Sequence, residues 1–333
     1  MRVIVALGGN AIARRGEIMT VAHQLENLRL VSARLKSLAE DHELVITHGN
    51  GPQVGLLALQ NAAYPDVAAY PLDVLGAESQ GMIGYFIEIE MRHVLPPEQK
   101  LTTVLTLVEV SREDPAFADP TKFIGPVYSE ATADLLSAQR GWTFALDGAG
   151  PRRVVPSPFP QRVVQIDSVM QLLKAGHIVI CAGGGGIPMA RDRDGHLVGV
   201  EAVVDKDASS AVLATAIHAD LFIMATDADA VFLDWGKNTQ RAIKWISAGA
   251  LRQFDFAAGS MGPKVEAAIA FAERSGHRAV IGNLDDIDSL LAGRAGTVIE
   301  AQDGPTQFYP VAGATVAGTP EADPQDRQVA PCP

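Results

Sequence analysis

Three glycine-rich turns, each directly after a short apolar run, constrain the fold of this chain more than any other feature of its sequence. They are "VALGGNA" (5–11), "VITHGNGPQ" (45–53) and "VICAGGGGIP" (179–188). Glycine permits a positive φ and lets a ligand or another backbone approach closely, at an entropic cost on folding. Three such turns indicate that loops from separate strands form one site together.

Apolar runs with the character of buried strands alternate with helical patterns along the chain. The runs are 3–7, 44–47, 103–108, 177–181, 221–225 and 279–281. The clearest helical pattern spans 21–40, where apolar side chains recur every three or four residues at Leu25, Leu28, Val31, Leu35 and Leu38. This alternation predicts an α/β fold whose mostly parallel sheet is covered on both faces. Such sheets bind ligands beyond the carboxyl ends of their strands, where all three glycine turns fall.

The composition narrows the class of partner. The 333 residues carry a formal net charge of -12, which disfavours nucleic acid and anionic membranes as partners and favours small polar molecules. Cys181 and Cys332 are the two cysteines, so neither a disulfide framework nor a zinc cluster is expected. The apolar run at the start is too short for a secretion signal, and we expect a cytoplasmic protein without a membrane segment.

Two segments depart from the alternation of strands and helices. Residues 114–161 are rich in proline, glycine and charge, which predicts a small inserted lid subdomain with little core of its own. Residues 302–333 lack a sustained apolar period and are predicted to be a disordered tail. The main domain is therefore expected to span 1–301.

Phosphate-binding motifs of the common kinds are missing. The pair Gly236-Lys237 is followed by Asn238 and does not complete a P-loop, and no G-x-G-x-x-G occurs. Two lysines instead lie at predicted helix starts, Lys206 in "VDKDASSAV" and Lys264 in "GSMGPKVEAAIAF". A cation there opposes the helix dipole unless it serves a ligand, and a bound phosphate would compensate for this. A solvated Asp-Lys-Asp surface turn is the other interpretation.

Two further stretches carry candidate polar groups. "ATDADAVFLD" (225–234) could be a nucleotide shelf, with Asp227 and Asp229 near the ribose or base and Val231 and Phe232 against adenine, or simply a strand end with a turn. His48, beside the second glycine turn, could be a general base or a hydrogen-bonded structural group.

Eight motifs taken in order give a specific resemblance. They are "ALGGNA", "THGNGPQVG", "PLDVLGAESQGMIGY", "DPTKFIGPVY", "RRVVPSP", "GGGGIP", "GVEAVVDKD" and "GSMGPK". In this order the chain resembles the carbamate kinases of the amino acid kinase superfamily over about residues 1–300. The resemblance implies an open αβα sandwich, a homodimer, and phosphoryl transfer between ATP and carbamate with Mg²⁺ bound through the nucleotide phosphates.

The resemblance also implies roles for particular residues. Lys206, Lys264, Asp207 and Lys122 would be catalytic, with the first two neutralising phosphates, Asp207 holding them and Lys122 reaching carbamoyl phosphate. Substrate binding would use Gly8, Gly9, Asn10, Gly49, Asn50 and Gly51. Nucleotide binding would use Gly184, Gly185, Thr226, Asp227, Val231 and Phe232. No residue is expected to bind a metal directly.

Some residues depart from the family pattern, and other functions stay open. Phe123 and Val127 replace a proline and a phenylalanine after the lid lysine, and Phe159 stands where a polar residue is more usual. A related kinase acting on acetylglutamate, aspartate, glutamate, UMP or isopentenyl phosphate is one alternative, and a non-catalytic nucleotide sensor is another. Carbamate is already an anion and needs no general base, which agrees with the absence of an obvious one.

Overall fold

The protein is described from a computed structural model that covers residues 1–14, 16–64, 66, 68–148, 150–257 and 259–310. In chain order the strands are β1 (Arg2–Leu7), β2 (Glu43–His48), β3 (Lys100–Thr103), β4 (Leu107–Val110), β5 (Lys122–Val127), β6 (Thr143–Asp147), β7 (Gly150–Val155), β8 (Pro160–Val163), β9 (His177–Ile180), β10 (Ile187–Arg191), β11 (Leu197–Gly199), β12 (Leu221–Thr226), β13 (Val231–Leu233), β14 (Arg241–Ser247), β15 (Arg278–Asn283), β16 (Thr297–Glu300) and β17 (Gln307–Phe308). The α-helices are α1 (Val21–Asp41), α2 (Gly51–Ala62), α3 (Leu72–Val94), α4 (Glu130–Arg140), α5 (Ile166–Lys174), α6 (Lys206–Ala216), α7 (Ala248–Leu251), α8 (Met261–Ser275) and α9 (Ile287–Leu291). Within these described ranges, none of the helices combines the length and the hydropathy that crossing a bilayer requires.

A ten-stranded sheet forms the centre of the molecule, in the order β13-β14-β16-β15-β12-β1-β2-β9-β3 with β17 paired to β14. The six strands from β15 to β3 run parallel to their neighbours. Beyond them β16 pairs antiparallel with β15. The parallel part therefore brings the ends of β1, β2, β9 and β12 to one edge of the sheet.

Helices cover both faces of the sheet because its central strands are apolar on both sides. Along β1, Val3, Val5 and Leu7 face one buried cluster with α1, α3 and α9. Ile4 and Ala6 face the other cluster, with α5, α6, α7 and α8. Successive side chains of a strand point to opposite faces, so an unbroken apolar run is what a doubly covered strand needs. The predicted αβα sandwich is confirmed.

Two smaller sheets accompany the large one. The inserted segment 114–161 forms the first, with the order β5-β7-β6 and with α4 against it. The second has the order β11-β10-β4-β8, and only the start of β8 belongs to the inserted segment. Ile124 and Val155 of the first sheet pack with Val54, Leu72 and Leu75 of α2 and α3. The insert thus takes part of its apolar support from the main domain.

The predicted strand at 103–108 is wrong as a single element. β3 ends at Thr103 in the large sheet, and β4 begins at Leu107 in a small one. Between them Gln80 Oε1 accepts from Thr106 N, and Thr106 O accepts from Ile187 N at 2.8 Å. The chain changes sheets at this point, and an apolar run cannot reveal such a change because both halves are buried strands.

The boundary predicted after Ala301 lies too early. Phe308 in β17 pairs with Ile243 of β14, and the Tyr309 hydroxyl donates to Gly296 O at 2.8 Å. The Arg241 guanidinium lies 3.5 Å from the centroid of the Phe308 ring. Packing therefore continues to residue 310, and the rest of the predicted tail, 311–333, lies outside the described residues.

We expect a chain that ends at Ala301 to melt about 4 °C lower than one that ends at Pro310. The shorter chain loses the Tyr309 hydrogen bond and the Arg241–Phe308 contact, which together contribute about 2 kcal/mol. Thermal denaturation of the two chains under the same conditions measures the difference. Equal melting temperatures would show that this segment adds nothing to stability.

Candidate active site

A cleft opens at the carboxyl ends of the central parallel strands. Gly8 follows β1, and its amide donates to Ala225 O of β12 at 3.2 Å. Gly49 follows β2, and its amide donates to Leu7 O of β1 at 3.1 Å. The cleft has a volume of about 1960 Å³. The turns after β1 and β2 are thus joined to neighbouring strand ends around one space.

Most residues that the sequence analysis assigned to a site line this cleft. They are Gly8, Gly9, Asn10, Gly49, Asn50, Gly51, Lys122, Gly184, Lys206, Asp207, Thr226, Asp227, Phe232 and Lys264. Gly185 and Val231 do not line it, and neither does Asp229, the second aspartate considered for the nucleotide, whose Oδ1 accepts from Asn283 Nδ2 at 3.1 Å.

Val231 belongs to the core. Its side chain is 0% exposed, and its amide donates to Thr297 Oγ1 at 2.8 Å. The next residue, Phe232, lines the cleft, and its ring lies 4.9 Å from that of Trp235. Since neighbouring side chains of a strand point to opposite sides, β13 could offer only one of Val231 and Phe232 to a ligand.

The four consecutive glycines are approached closely by other parts of the protein. A Cβ on Gly183 would lie 2.3 Å from His48 Nε2, and one on Gly184 would lie 2.2 Å from Asn50 Nδ2. Gly185 has φ +90°, and a Cβ there would lie 2.2 Å from Val204 O. Gly184 alone of the four reaches the cleft surface. This loop is built to pack tightly under the turn after β2.

Asp207 joins two lysines on different helices. Lys206 Nζ donates to Asp207 Oδ1 at 2.5 Å, and Lys264 Nζ donates to Asp207 Oδ2 at 3.0 Å. The Asp207 side chain is 5% exposed and each lysine side chain 13%. The carboxylate therefore holds two ammonium groups side by side at the bottom of the cleft.

Burial and nearby charges shift the pKa values of Asp207 and Lys206 in opposite directions. Burial alone would raise the pKa of Asp207, but the ammonium groups of Lys206 and Lys264 outweigh it and lower that pKa to about 2. Burial lowers the pKa of Lys206, and the nearby Lys264 lowers it further, while Asp207 opposes both effects. Two cations share one carboxylate, so the centre attracts an anion.

Helix ends add to this positive potential. Lys206 is the first residue of α6, and Lys264 lies in the first turn of α8. The helix dipole at such positions favours bound phosphate, and the start of α8 has no side-chain cap. Phosphate binding is thus supported both by the side chains and by the backbone at the same place.

Asp205 is a site residue that the sequence analysis did not assign. Its Oδ1 accepts from the amides of Asp207 at 2.9 Å and Ala208 at 3.2 Å, which caps α6. Its Oδ2 accepts from Lys122 Nζ of the insert at 2.9 Å. An aspartate directly before a helix is a usual cap, and this was the available signal. The ion pair ties the insert to the base of the cleft.

Other contacts that fix the cleft walls were also missed. Asn50 Nδ2 donates to Ser79 Oγ of α3 at 2.8 Å, and Asn10 Nδ2 donates to Asp227 Oδ2 at 3.0 Å. Trp235 is 70% exposed and lines the cleft beside Phe232. The aromatic pair gives this end of the cleft an apolar surface suited to a flat ring.

His48 has a structural position. It is 1% exposed, does not line the cleft, and contacts Gly49 O through Nδ1 at 3.0 Å. Burial lowers the pKa of His48 to about 4, with a smaller contribution from Lys206. Of the two roles considered from the sequence, the geometry supports the hydrogen-bonded structural group.

This shifted pKa should make stability depend on pH. Unfolded histidine takes up a proton near pH 6.5, whereas folded His48 does so only near pH 4, so protonation favours the unfolded chain between these values. From pH 7 to pH 5 we expect the protein to lose about 2 kcal/mol more unfolding free energy than the His48→Gln variant loses. Urea titrations of both at the two pH values measure this, and equal losses would contradict it.

Comparison with known proteins agrees with this geometry. The model of the amino acid kinase family matches residues 1–283. The chain is 54% identical to the carbamate kinase of Haemophilus influenzae, over 93% of this chain and 100% of that one. It is 52% identical to the carbamate kinase of Rhizobium meliloti, over 90% and 94%. The solved structure of carbamate kinase from Giardia lamblia bound to AMP-PNP superposes with a TM-score of 0.84 at 36% identity, over 90% and 98%.

Proposed function

This chain belongs to the amino acid kinase family and, within it, to the carbamate kinases, and from that premise we propose how its cleft transfers a phosphoryl group between ATP and carbamate. The observation that carries the proposal is the pair Lys206 and Lys264, held by Asp207 at the starts of two helices. Phosphoryl transfer depends mainly on positioning and on neutralising charge, which this group supplies.

The two lysines take the transferred phosphoryl group between them. Gly8, Gly9 and Asn10 with Gly49, Asn50 and Gly51 line the adjoining wall and hold the carbamate and the phosphoryl oxygens. Carbamate attacks as an anion, so no proton has to be removed first. The buried position of His48 is consistent with a reaction that uses no histidine base.

The nucleotide lies along the other end of the cleft. Gly184, Thr226 and Asp227 face its polar parts, while Phe232 and Trp235 offer apolar surface to the base. Mg²⁺, carried by the nucleotide phosphates, would supply further positive charge to the phosphoryl oxygens. The site suits a metal held this way, because Asp205 and Asp207 are each already bonded to ammonium groups.

Lys122 contacts carbamoyl phosphate from the insert, which acts as a lid. In this structure its ammonium group is paired with Asp205. Binding of carbamoyl phosphate then requires an exchange of Asp205 for a phosphate oxygen. The side chain is 39% exposed, which leaves it accessible from the cleft. Lys122 would therefore serve one substrate rather than both.

We also propose that the enzyme is a cytoplasmic homodimer that acts in the breakdown of carbamoyl phosphate during arginine catabolism. The family resemblance supports the dimer and the pathway. The small number of cysteines agrees with a reducing compartment.

The experiment that tests the reaction is a coupled assay for ATP formed from Mg-ADP and carbamoyl phosphate. In the forward direction carbamate should be phosphorylated, while acetylglutamate, aspartate, glutamate, UMP and isopentenyl phosphate give no product above background. Transfer to one of these but not to carbamate would favour a related kinase. Nucleotide binding without any transfer would favour the sensor.

Lys122→Ala should raise the KM for carbamoyl phosphate by about tenfold or more, since a hydrogen bond to a charged group contributes about 1.5–3 kcal/mol. The KM for ADP should stay within about threefold of the unaltered value, because the proposal gives Lys122 no contact with the nucleotide. A threefold change corresponds to less than about 1 kcal/mol of binding free energy. Steady-state kinetics with each substrate varied in turn measure both. Lys174→Ala, an exposed lysine outside the cleft, is the control. Equal increases for both substrates would contradict a lid that serves one of them.

A further inference from the structure

The side chain of Asn50 is not used in the way that its position predicts. Asn50 stands at the N-cap of α2, where an asparagine ordinarily accepts through Oδ1 from an amide of the first turn. Here the side chain makes no such bond. Its Nδ2 instead donates to Ser79 Oγ of α3 at 2.8 Å. A group outside α2 therefore determines how the Asn50 amide is turned.

Ser79 fixes which end of the Asn50 amide it meets. A serine hydroxyl has one proton to donate, and that of Ser79 goes to Gly76 O at 2.9 Å, which can only accept. The Ser79 oxygen is thus left as an acceptor, and the NH₂ group of Asn50 has to face it. Ser79 is 0% exposed, so solvent does not reach this contact. The hydrogen bonds therefore turn Asn50 Oδ1 away from α3.

Asn50 Oδ1 opens to the cleft without a donor of its own. Asn50 is 6% exposed and lines the cleft. None of the residues that the structure describes donates to Oδ1, and this atom is not fully enclosed. A Cβ on Gly184 would lie 2.7 Å from Oδ1 and 2.2 Å from Nδ2, so the glycine loop packs directly against the amide and limits its movement. A fixed acceptor is thus available to a ligand.

An acceptor is an unusual group in a site for anions. Lys206 and Lys264 supply positive charge to the same cleft, and a Cβ on Gly49, the residue before Asn50, would lie 3.4 Å from Lys206 Cδ. An oxygen acceptor beside them repels the oxygens of an anion and gains only from a ligand that carries an N–H or O–H donor. Carbamate and carbamoyl phosphate carry such a donor, the NH₂ group on the carbon atom. Acetate and acetyl phosphate have a methyl group at the same place.

We propose that Asn50 Oδ1 accepts from the amino group of carbamate and that Ser79 is the positioning residue behind the preference for this group. The inference rests on the proposed function and names the part of the substrate that is recognised. In ATP formation the bond from phosphorus to the carbamoyl oxygen breaks, its electrons stay on carbamate, and a β-phosphate oxygen of ADP forms the new bond. The amino group keeps both protons throughout. Its contribution is therefore to recognition, because a methyl group would leave the acceptor unpaired.

The test compares carbamoyl phosphate with acetyl phosphate as phosphoryl donors to Mg-ADP, in the coupled assay for ATP. The unaltered enzyme should show the higher kcat/KM with carbamoyl phosphate. In Ser79→Ala the amide loses its partner and can turn its NH₂ group toward the ligand, which should reduce the ratio of the two kcat/KM values about tenfold, as expected for one lost hydrogen bond. A site that is merely loosened would lose activity with both donors and keep the ratio, because the two molecules carry the same phosphate.

Asn50→Ala removes the acceptor itself and gives the same test through a second residue. It should reduce the ratio at least as much as Ser79→Ala does. The double variant should match Asn50→Ala, since Ser79 acts only through Asn50. Ser32→Ala, which alters a buried serine of α1 outside the cleft, is the matched control and should keep the ratio of the unaltered enzyme.

Three results would overturn the inference. These are equal kcat/KM values for the two donors in the unaltered enzyme, an unchanged ratio in folded Ser79→Ala, and a further fall of the ratio in the double variant. Each of them leaves phosphoryl transfer from carbamoyl phosphate intact, so the proposed function would stand. An unaltered enzyme that forms no ATP from carbamoyl phosphate would overturn the proposed function and this inference together.

Discussion

Lys264→Ala should lower kcat by at least about a hundredfold, the effect seen when one preorganised charge is removed from a transition state. Lys264 Nζ is fixed by Asp207 at 3.0 Å, in a position where 13% of the side chain remains exposed. A charge held this rigidly needs no reorganisation when the phosphoryl group moves. Steady-state kinetics of ATP formation with both substrates saturating measure the change.

Lys206→Ala should have a comparable effect, because Lys206 shares the same carboxylate. Lys244→Ala removes an exposed lysine outside the cleft and is the matched control, with kcat expected within about twofold of the unaltered value. Circular dichroism of each variant tests whether it is folded. A folded Lys264→Ala protein with near-normal kcat would reduce that lysine to a surface group and remove the main support for the proposed mechanism.

Features that depend on local sequence could be predicted. The helix at 21–40 was predicted from its apolar period and is observed at Val21–Asp41, where Thr20 caps its start by accepting from His23 N at 3.2 Å. Buried parallel strands such as β1 are unbroken apolar runs between turns, which makes them easy to recognise. The lysines were recognisable because a cation is unfavourable at a helix start unless something compensates for it.

Features that depend on contacts between distant segments could not be predicted. Gly184 and Gly185 are neighbouring glycines that the sequence does not distinguish. A Cβ on Gly184 would meet the Asn50 side chain, whereas one on Gly185 would meet the backbone of Val204. The pairing of Lys122 with Asp205 joins residues 83 positions apart. The same holds for the strand β17, whose partner β14 lies far earlier in the chain. Such assignments require the tertiary structure, since no local period encodes them.

Gly185→Ala should lower the free energy of unfolding by about 3 kcal/mol or more, the sum of a clash in a packed interior and a left-handed backbone. The added Cβ would lie 2.2 Å from Val204 O, and φ is +90°. Ser209 Oγ also donates to Gly185 O at 2.6 Å, so the loop has little room to move away. Urea denaturation followed by circular dichroism measures the loss.

Gly176→Ala separates the two causes of this loss. Gly176 has φ +78°, but no atom lies within 4 Å of the position its Cβ would take. The free energy of unfolding of Gly176→Ala should therefore fall only by the cost of the left-handed backbone, about 1–2 kcal/mol. Gly185→Ala should also lower kcat, because Val204 is followed directly by Asp205 and Lys206 and any shift of that backbone moves the lysine. Equal destabilisation by the two variants would mean that the Val204 contact relaxes without cost, and the tight packing of the glycine loop would then play no part in positioning Lys206.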